Sequence, residues 1–86
     1  MRTVTLVSKK DCHLCEAAKE VLLKARERMF FTLDERKLEI GDADYATYSE
    51  RVPVILINGE FAFQYRVSER QLLERLNEIH EPGAAS

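Results

Sequence analysis

A chain of 86 residues is long enough for one domain with a compact core and too short for two. Its formal charge of −2 lacks the basic excess of a nucleic-acid surface. No apolar run approaches the roughly 20 residues of a membrane span, and 45% apolar with 33% charged residues is the balance of an ordinary soluble domain. Neither a nucleic-acid nor a membrane partner is expected, and a monomer is the expected state.

Met1-Arg2 leads directly into Thr3-Val4-Thr5-Leu6-Val7, where β-branched residues dominate and both faces are largely apolar. That is the pattern of a strand inside a sheet. The start lacks the longer apolar stretch and small-residue cleavage site of a signal peptide, so the expected compartment is the cytoplasm. Ser8-Lys9-Lys10-Asp11 reads as a polar loop.

From Leu14 to about Arg28 the period changes. Leu14, Ala17, Ala18, Val21, Leu22 and Ala25 recur at helical spacing, with Lys19, Glu20, Lys24 and Glu27 off the stripe. Asp11 or Cys12 is the candidate N-cap, and propensity favours Asp11. Met29-Phe30-Phe31 at the helix exit reads as core packing. Thr32 to Ile40 reads as a second strand with Leu33, Leu38 and Ile40 as its apolar points. Its charges Asp34, Glu35, Arg36 and Lys37 suit an edge.

Gly41-Asp42-Ala43-Asp44 breaks the strand, and Asp42 or Asp44 can cap a short helix running to about Glu50. Tyr45 and Tyr48 on it are expected to pack. Val54-Ile55-Leu56-Ile57 is the strongest strand pattern, and Asn58-Gly59 is a type I′ hairpin signal. The return strand, Glu60 to Tyr65, places Phe61, Phe63 and Tyr65 on one face by simple alternation. Ser68 with Gln71 makes a capping box for a last helix with Leu72, Leu73, Leu76 and Ile79 on its stripe. Pro82-Gly83 ends it, so the expected domain spans 1–81 and the tail 82–86.

A helical crossover requires parallel strands and a tight hairpin requires antiparallel ones. One mixed four-stranded sheet in the order β-α-β-α-β-β-α, with helices on both faces, satisfies every connection. The fold class is α/β.

Cys12 and Cys15 are the only cysteines, spaced C-x-x-C where a strand gives way to a helix. That placement points to redox or metal chemistry. A tetrahedral zinc site wants four ligands, and the chain offers two cysteines, His13 and a distant His80, so no metal is expected within one chain. Cys12 at the helix start faces unpaired N–H groups and the positive end of the helix dipole, which favour its thiolate. Cys15, one turn on, lies within disulfide reach and is more shielded. Cys12 is therefore the expected nucleophile and Cys15 the resolving thiol. Lys9 and Lys10 add positive potential and Asp11 opposes it. His13 either tunes the thiolate as a cation or is an exposed spacer.

Lys9-Lys10-Asp11-Cys12-His13-Leu14-Cys15, followed by Arg51-Val52-Pro53 and a strand ending in Asn58-Gly59, resembles a glutaredoxin of the thioredoxin superfamily over nearly the whole chain. The resemblance implies a thioredoxin fold, disulfide oxidoreductase activity, and a cis Pro53 beside the cysteines. It also implies a Val52 backbone free to pair with an extended substrate, and it puts Lys9 where glutaredoxins carry a lysine that contacts the glutathione carboxylate. The chain departs from the family in two places. His13-Leu14 replaces the usual Pro-Tyr, and Ala62-Phe63-Gln64-Tyr65-Arg66 lacks the glycine pair that seats glutathione.

Gln64, Arg66 and Arg51 are the polar candidates to replace the missing contacts. No cofactor is expected beyond the Cys12–Cys15 pair itself, and glutathione is only one candidate thiol. The expected partner is a disulfide-containing protein or a small thiol. The competing reading is a non-catalytic binding module of the same fold, or a carrier that shares a bridged iron–sulfur cluster between two chains.

Overall fold

The computed structural model describes residues 2–78. Seven elements follow one another: β1 (Thr3–Lys9), α1 (His13–Arg28), β2 (Thr32–Leu38), α2 (Tyr45–Tyr48), β3 (Val54–Ile57), β4 (Glu60–Gln64) and α3 (Glu69–Asn77). They form one mixed sheet in the order β2-β1-β3-β4. β1 runs parallel to β2 and antiparallel to β3, and β3 runs antiparallel to β4. The fold is the expected α/β sandwich, with the charged β2 at an edge and the apolar β1 inside. The expected boundary at 81, Ile79, His80 and the Pro82-Gly83 stop lie outside the described residues.

Alternation along the strands sorts the core into two parts. Val4 and Leu6 stand opposite Ile57 and Ile55, and these four pack with Ala18, Leu22 and Ala25 of α1, Leu72 and Leu76 of α3, and Phe31. Each fully buried Leu contributes about 1.5–3 kcal/mol relative to exposure. A second cluster joins Val7, Leu38, Val52 and Val54 with Cys15 at the start of α1, and Tyr45 and Tyr48 of α2 pack against it. α1 and α3 therefore share one cluster, and α2 packs against the other, which α1 reaches through Cys15.

Several expectations need correcting. β1 extends through Ser8 and Lys9, where the polar sequence predicts a loop, because both pair with β2. The buried stripe of α1 is Cys15, Ala18, Leu22 and Ala25, while Leu14 and Ala17 are exposed along its margin. Of the trio at the helix exit, Phe31 is buried and Met29 packs partly, but Phe30 is exposed. β2 ends at Leu38, leaving Ile40 exposed beyond it.

α2 is one turn, and neither aspartate caps it through its side chain. Asp42 accepts from the Glu39 N–H (2.8 Å), and Asp44 is taken by Arg36 of β2. The guanidinium holds the Asp44 carboxyl below its usual range, chiefly by that hydrogen bond.

The hairpin forms as expected. Asn58 and Gly59 both have positive φ (52° and 83°), as a type I′ turn requires. Asn58 also ties the hairpin to β1, accepting from Thr3 N–H through its side chain (2.9 Å) and donating its own N–H to Thr3 C=O (2.8 Å). Simple alternation fails in β4. The register jumps between Ile55 and Leu56, so Phe63 stands opposite Ile55 and Phe61 opposite Leu56. Neighbouring residues of β3 face opposite sides, so the two phenylalanines do too, with Ala62 as the bulge between them.

Candidate redox site

β1 delivers the chain to the top of the sheet, where Lys10 and Asp11 turn it into α1. Asp11 adopts φ 57°, a conformation that aspartate tolerates better than most residues. That turn makes Cys12, not Asp11, the N-cap, in extended conformation. The Cys12 carbonyl accepts from the Glu16 N–H (3.2 Å) and its Sγ accepts from the Cys15 N–H (3.2 Å). The Cys12 sulfur thus replaces the oxygen that usually satisfies a free N–H at a helix start.

Cys12 and Cys15 are joined as a disulfide, with Cα atoms 5.2 Å apart, inside the range such a bond needs. Their surroundings differ. Cys12 is partly exposed, whereas Cys15 is 4% exposed and packs in the cluster with Val7, Val52 and Val54. His13, the first residue of α1, is exposed.

The remaining expected residues are distributed around this pair. Lys9 lines the cavity that contains both cysteines, and its Nζ donates to the Ser49 carbonyl (2.7 Å), tying β1 to the end of α2. The Val52–Pro53 peptide bond is cis, and both residues are buried. Val52 shares the Cys15 cluster, but its N–H is not free. It donates to Tyr48 C=O (3.1 Å), because the turn after α2 closes on itself. Main-chain pairing by Val52 is therefore left to its carbonyl. Gln64 is exposed opposite Val54, Arg66 is exposed beside α1, and Arg51 is exposed after α2.

Three features have little signal in the sequence. Tyr65 has φ 67°, and the Arg66 N–H donates to Gln64 C=O (2.7 Å), so Tyr65 is the centre of a γ-turn. Its own N–H donates to Pro53 C=O (2.8 Å). Its side chain, with Leu14, Ala17, Val21 and Val67, lines a shallow apolar groove between α1 and the segment before α3. On the opposite, β2 side lies a polar cavity lined by Cys12, Cys15, Ser8 and Lys37 among others. Ser8 is buried there with an unpartnered hydroxyl. The available signal was that Ser8 continues the Val4-Leu6 alternation onto the core face. Among the described residues no three His, Cys, Asp or Glu side chains cluster as a metal would require.

A strand ending at a C-x-x-C helix, a cis proline and a closing hairpin form one unit, and the glutaredoxin-like domain (DUF836) matches it over residues 3–77. The chain belongs to that glutaredoxin-like family. Among solved structures, the structural-genomics target protein XcR50 from X. campestris superposes with a TM-score of 0.75 at 26% identity, covering 90% of this chain and 99% of that one. Two further neighbours, each at 15% identity and TM-score 0.64, share the fold. One is described only as a malarial protein, covering 91% of this chain and 96% of its own. The other is thioredoxin-2, a component of the malaria parasite protein secretion machinery, covering 92% and 84%. The family and the thioredoxin-like fold support a redox type of function for this chain. No helix among the described residues is long and apolar enough to cross a membrane.

Proposed function

We propose that the protein is a thiol–disulfide oxidoreductase that works through Cys12 and Cys15. The observation that carries this reading is the half-buried Cys12 at the N-cap of α1, whose sulfur accepts the Cys15 N–H while Cys15 itself is buried. In the reduced protein the same N–H and the positive helix end favour the Cys12 thiolate, which is the attacking species.

The Cys12 thiolate attacks one sulfur of a disulfide, forms a mixed disulfide and expels the other sulfur as a thiolate. Cys15 then gives up its proton to solvent and attacks Cys12 Sγ. The Cys12–Cys15 bond forms and the second half of the substrate leaves as a thiolate. The two protein thiols lose two electrons, and the substrate disulfide gains them. Burial of Cys15 suits this order, since a shielded thiol meets only the sulfur delivered to it by Cys12.

The substrate is a protein or small-molecule disulfide that approaches the exposed side of Cys12. Lys9, Val52, Pro53, Gln64 and Arg66 are the proposed contacts around it, with Val52 contributing its carbonyl. The alkylation rate of the reduced protein against pH tests this reading. The Cys12 reaction is expected to have its midpoint below the ~8.5 of a free cysteine, and Cys12→Ser is expected to abolish disulfide reduction. A midpoint at the free value, with reduction intact in Cys12→Ser, would overturn the role of Cys12, and a wild-type protein that reduces no disulfide would favour the non-catalytic binding module instead.

A further inference from the structure

α2 ends in a carbonyl that its own chain does not satisfy. Ser49 keeps helical dihedrals (φ −56°, ψ −30°), and its N–H donates to Tyr45 C=O (2.8 Å). A helical carbonyl accepts from the N–H four residues on. Four residues after Ser49 stands Pro53, which has no N–H to give. The N–H groups of Arg51 and Val52 both go to Tyr48 C=O (2.8 and 3.1 Å), so neither reaches Ser49.

The missing donor comes from β1. Lys9 Nζ donates to Ser49 C=O at 2.7 Å, from 40 residues earlier in the chain. Alternation explains the reach. Val7 and Lys9 leave the sheet on the same face, and Val7 lies in the cluster against which Tyr45 and Tyr48 of α2 pack. A lysine is a favourable partner for the last carbonyl of a helix.

The place of this bond matters for the site. Lys9 lies three residues before Cys12, and Ser49 lies three before Val52. One hydrogen bond thus links the segment that carries Cys12 to the turn that carries Val52, whose side chain packs with Cys15. The Val52 N–H is spent on Tyr48, which leaves its carbonyl for a substrate.

We propose that Lys9 is a positioning residue for polypeptide disulfides. Its ammonium closes α2 and fixes the Val52 carbonyl relative to Cys12, where that carbonyl accepts a main-chain N–H of an extended substrate. The task is separate from any direct touch between Lys9 and substrate. It rests on the thiol–disulfide reading and adds to it the substrate class that Lys9 serves.

The test uses two uncharged disulfides on the reduced protein. One is the disulfide-linked dimer of an alanine pentapeptide with a single central cysteine and both ends blocked. It offers main-chain N–H groups and no carboxylate. The other is bis(2-hydroxyethyl) disulfide, which offers neither. The readout is the ratio of the two rate constants, peptide over small disulfide, each normalised to that of free cysteine. A change in the Cys12 thiolate moves both rates together and leaves the ratio fixed, and a lysine contact to carboxylate has nothing to act on.

Lys9→Met keeps the stem and loses the ammonium. It is expected to lower the ratio about tenfold, the effect of losing a hydrogen bond from a charged group. Lys9→Arg keeps N–H donors on a long stem and is expected to restore most of the ratio. A ratio unchanged in Lys9→Met, or not restored in Lys9→Arg, overturns the role.

Hydrogen exchange in the oxidised protein supplies a readout that needs no reaction. The Val52 amide sits in the turn that Lys9 closes. Its exchange is expected to speed up about tenfold in Lys9→Met, well beyond any change at Leu6 and Ile55 in the sheet. If wild type reduces neither disulfide, the redox reading has failed, and exchange alone decides whether Lys9 holds the turn. A Val52 amide that speeds up no more than those of Leu6 and Ile55 overturns the inference.

Discussion

The Cys15 main-chain N–H donates to Cys12 Sγ at 3.2 Å across the first turn of α1. One residue thus supplies the polar contact to the outer sulfur while its own sulfur sits in the apolar cluster with Val7 and Val52. The proposed division of labour between the two cysteines rests on that arrangement. A hydrogen bond and the helix end favour the anion on Cys12, and burial disfavours it on Cys15.

Tyr65 tests whether the turn behind Pro53 is strained. A residue with a side chain at φ 67° is less comfortable than glycine by about 1–2 kcal/mol. Tyr65→Ala keeps that strain and loses the ring, whereas Tyr65→Gly loses both. In urea unfolding, Tyr65→Gly is expected to be more stable than Tyr65→Ala by about 1 kcal/mol. The opposite order, usual where φ is negative because glycine loosens the unfolded chain, would contradict the γ-turn.

The Arg36–Asp44 pair predicts a local acid response. Asp44 is held below its ordinary value of 3.8 by the hydrogen bond from Arg36. Its contribution to holding α2 is therefore complete above about pH 4 and is lost as pH falls through the lowered folded value. Arg36 is raised by the same hydrogen bond, and since its ordinary value already lies beyond working pH it opens no further window. Amide signals of Tyr45 and Tyr48 are expected to shift with acid before those of β1, and Asp44→Asn should shift them at neutral pH. Movement of α2 only together with β1 would show that the pair does not fasten it.

The fold was legible because each element carries its own period. Val4 and Leu6 alternate, Ala18, Leu22 and Ala25 recur at helical spacing, and Asn58-Gly59 marks the hairpin directly. The site was legible through its cysteines and Pro53, since C-x-x-C at a helix start has few other uses. What sequence could not supply depends on local geometry. Propensity favoured Asp11 as the cap, but its left-handed turn hands the position to Cys12. Alternation predicted one aromatic face on β4, and a one-residue bulge divided it. Ser8 looked like loop because serine is polar. Its burial is set by β2, which pairs with it through Lys37 from far along the chain. The reach of Arg36 to Asp44 likewise depends on where the break after β2 points.

The assignment of Cys12 as nucleophile and Cys15 as resolving thiol is tested most directly by trapping. Reduced wild type, Cys12→Ser and Cys15→Ser are each exposed to bis(2-hydroxyethyl) disulfide, a small uncharged substrate that needs no groove, and weighed intact. The account predicts a persistent mixed-disulfide adduct on Cys15→Ser, no adduct on Cys12→Ser, and wild type converted to its internal disulfide without an adduct. An adduct that persists on Cys12→Ser and is absent from Cys15→Ser would contradict it.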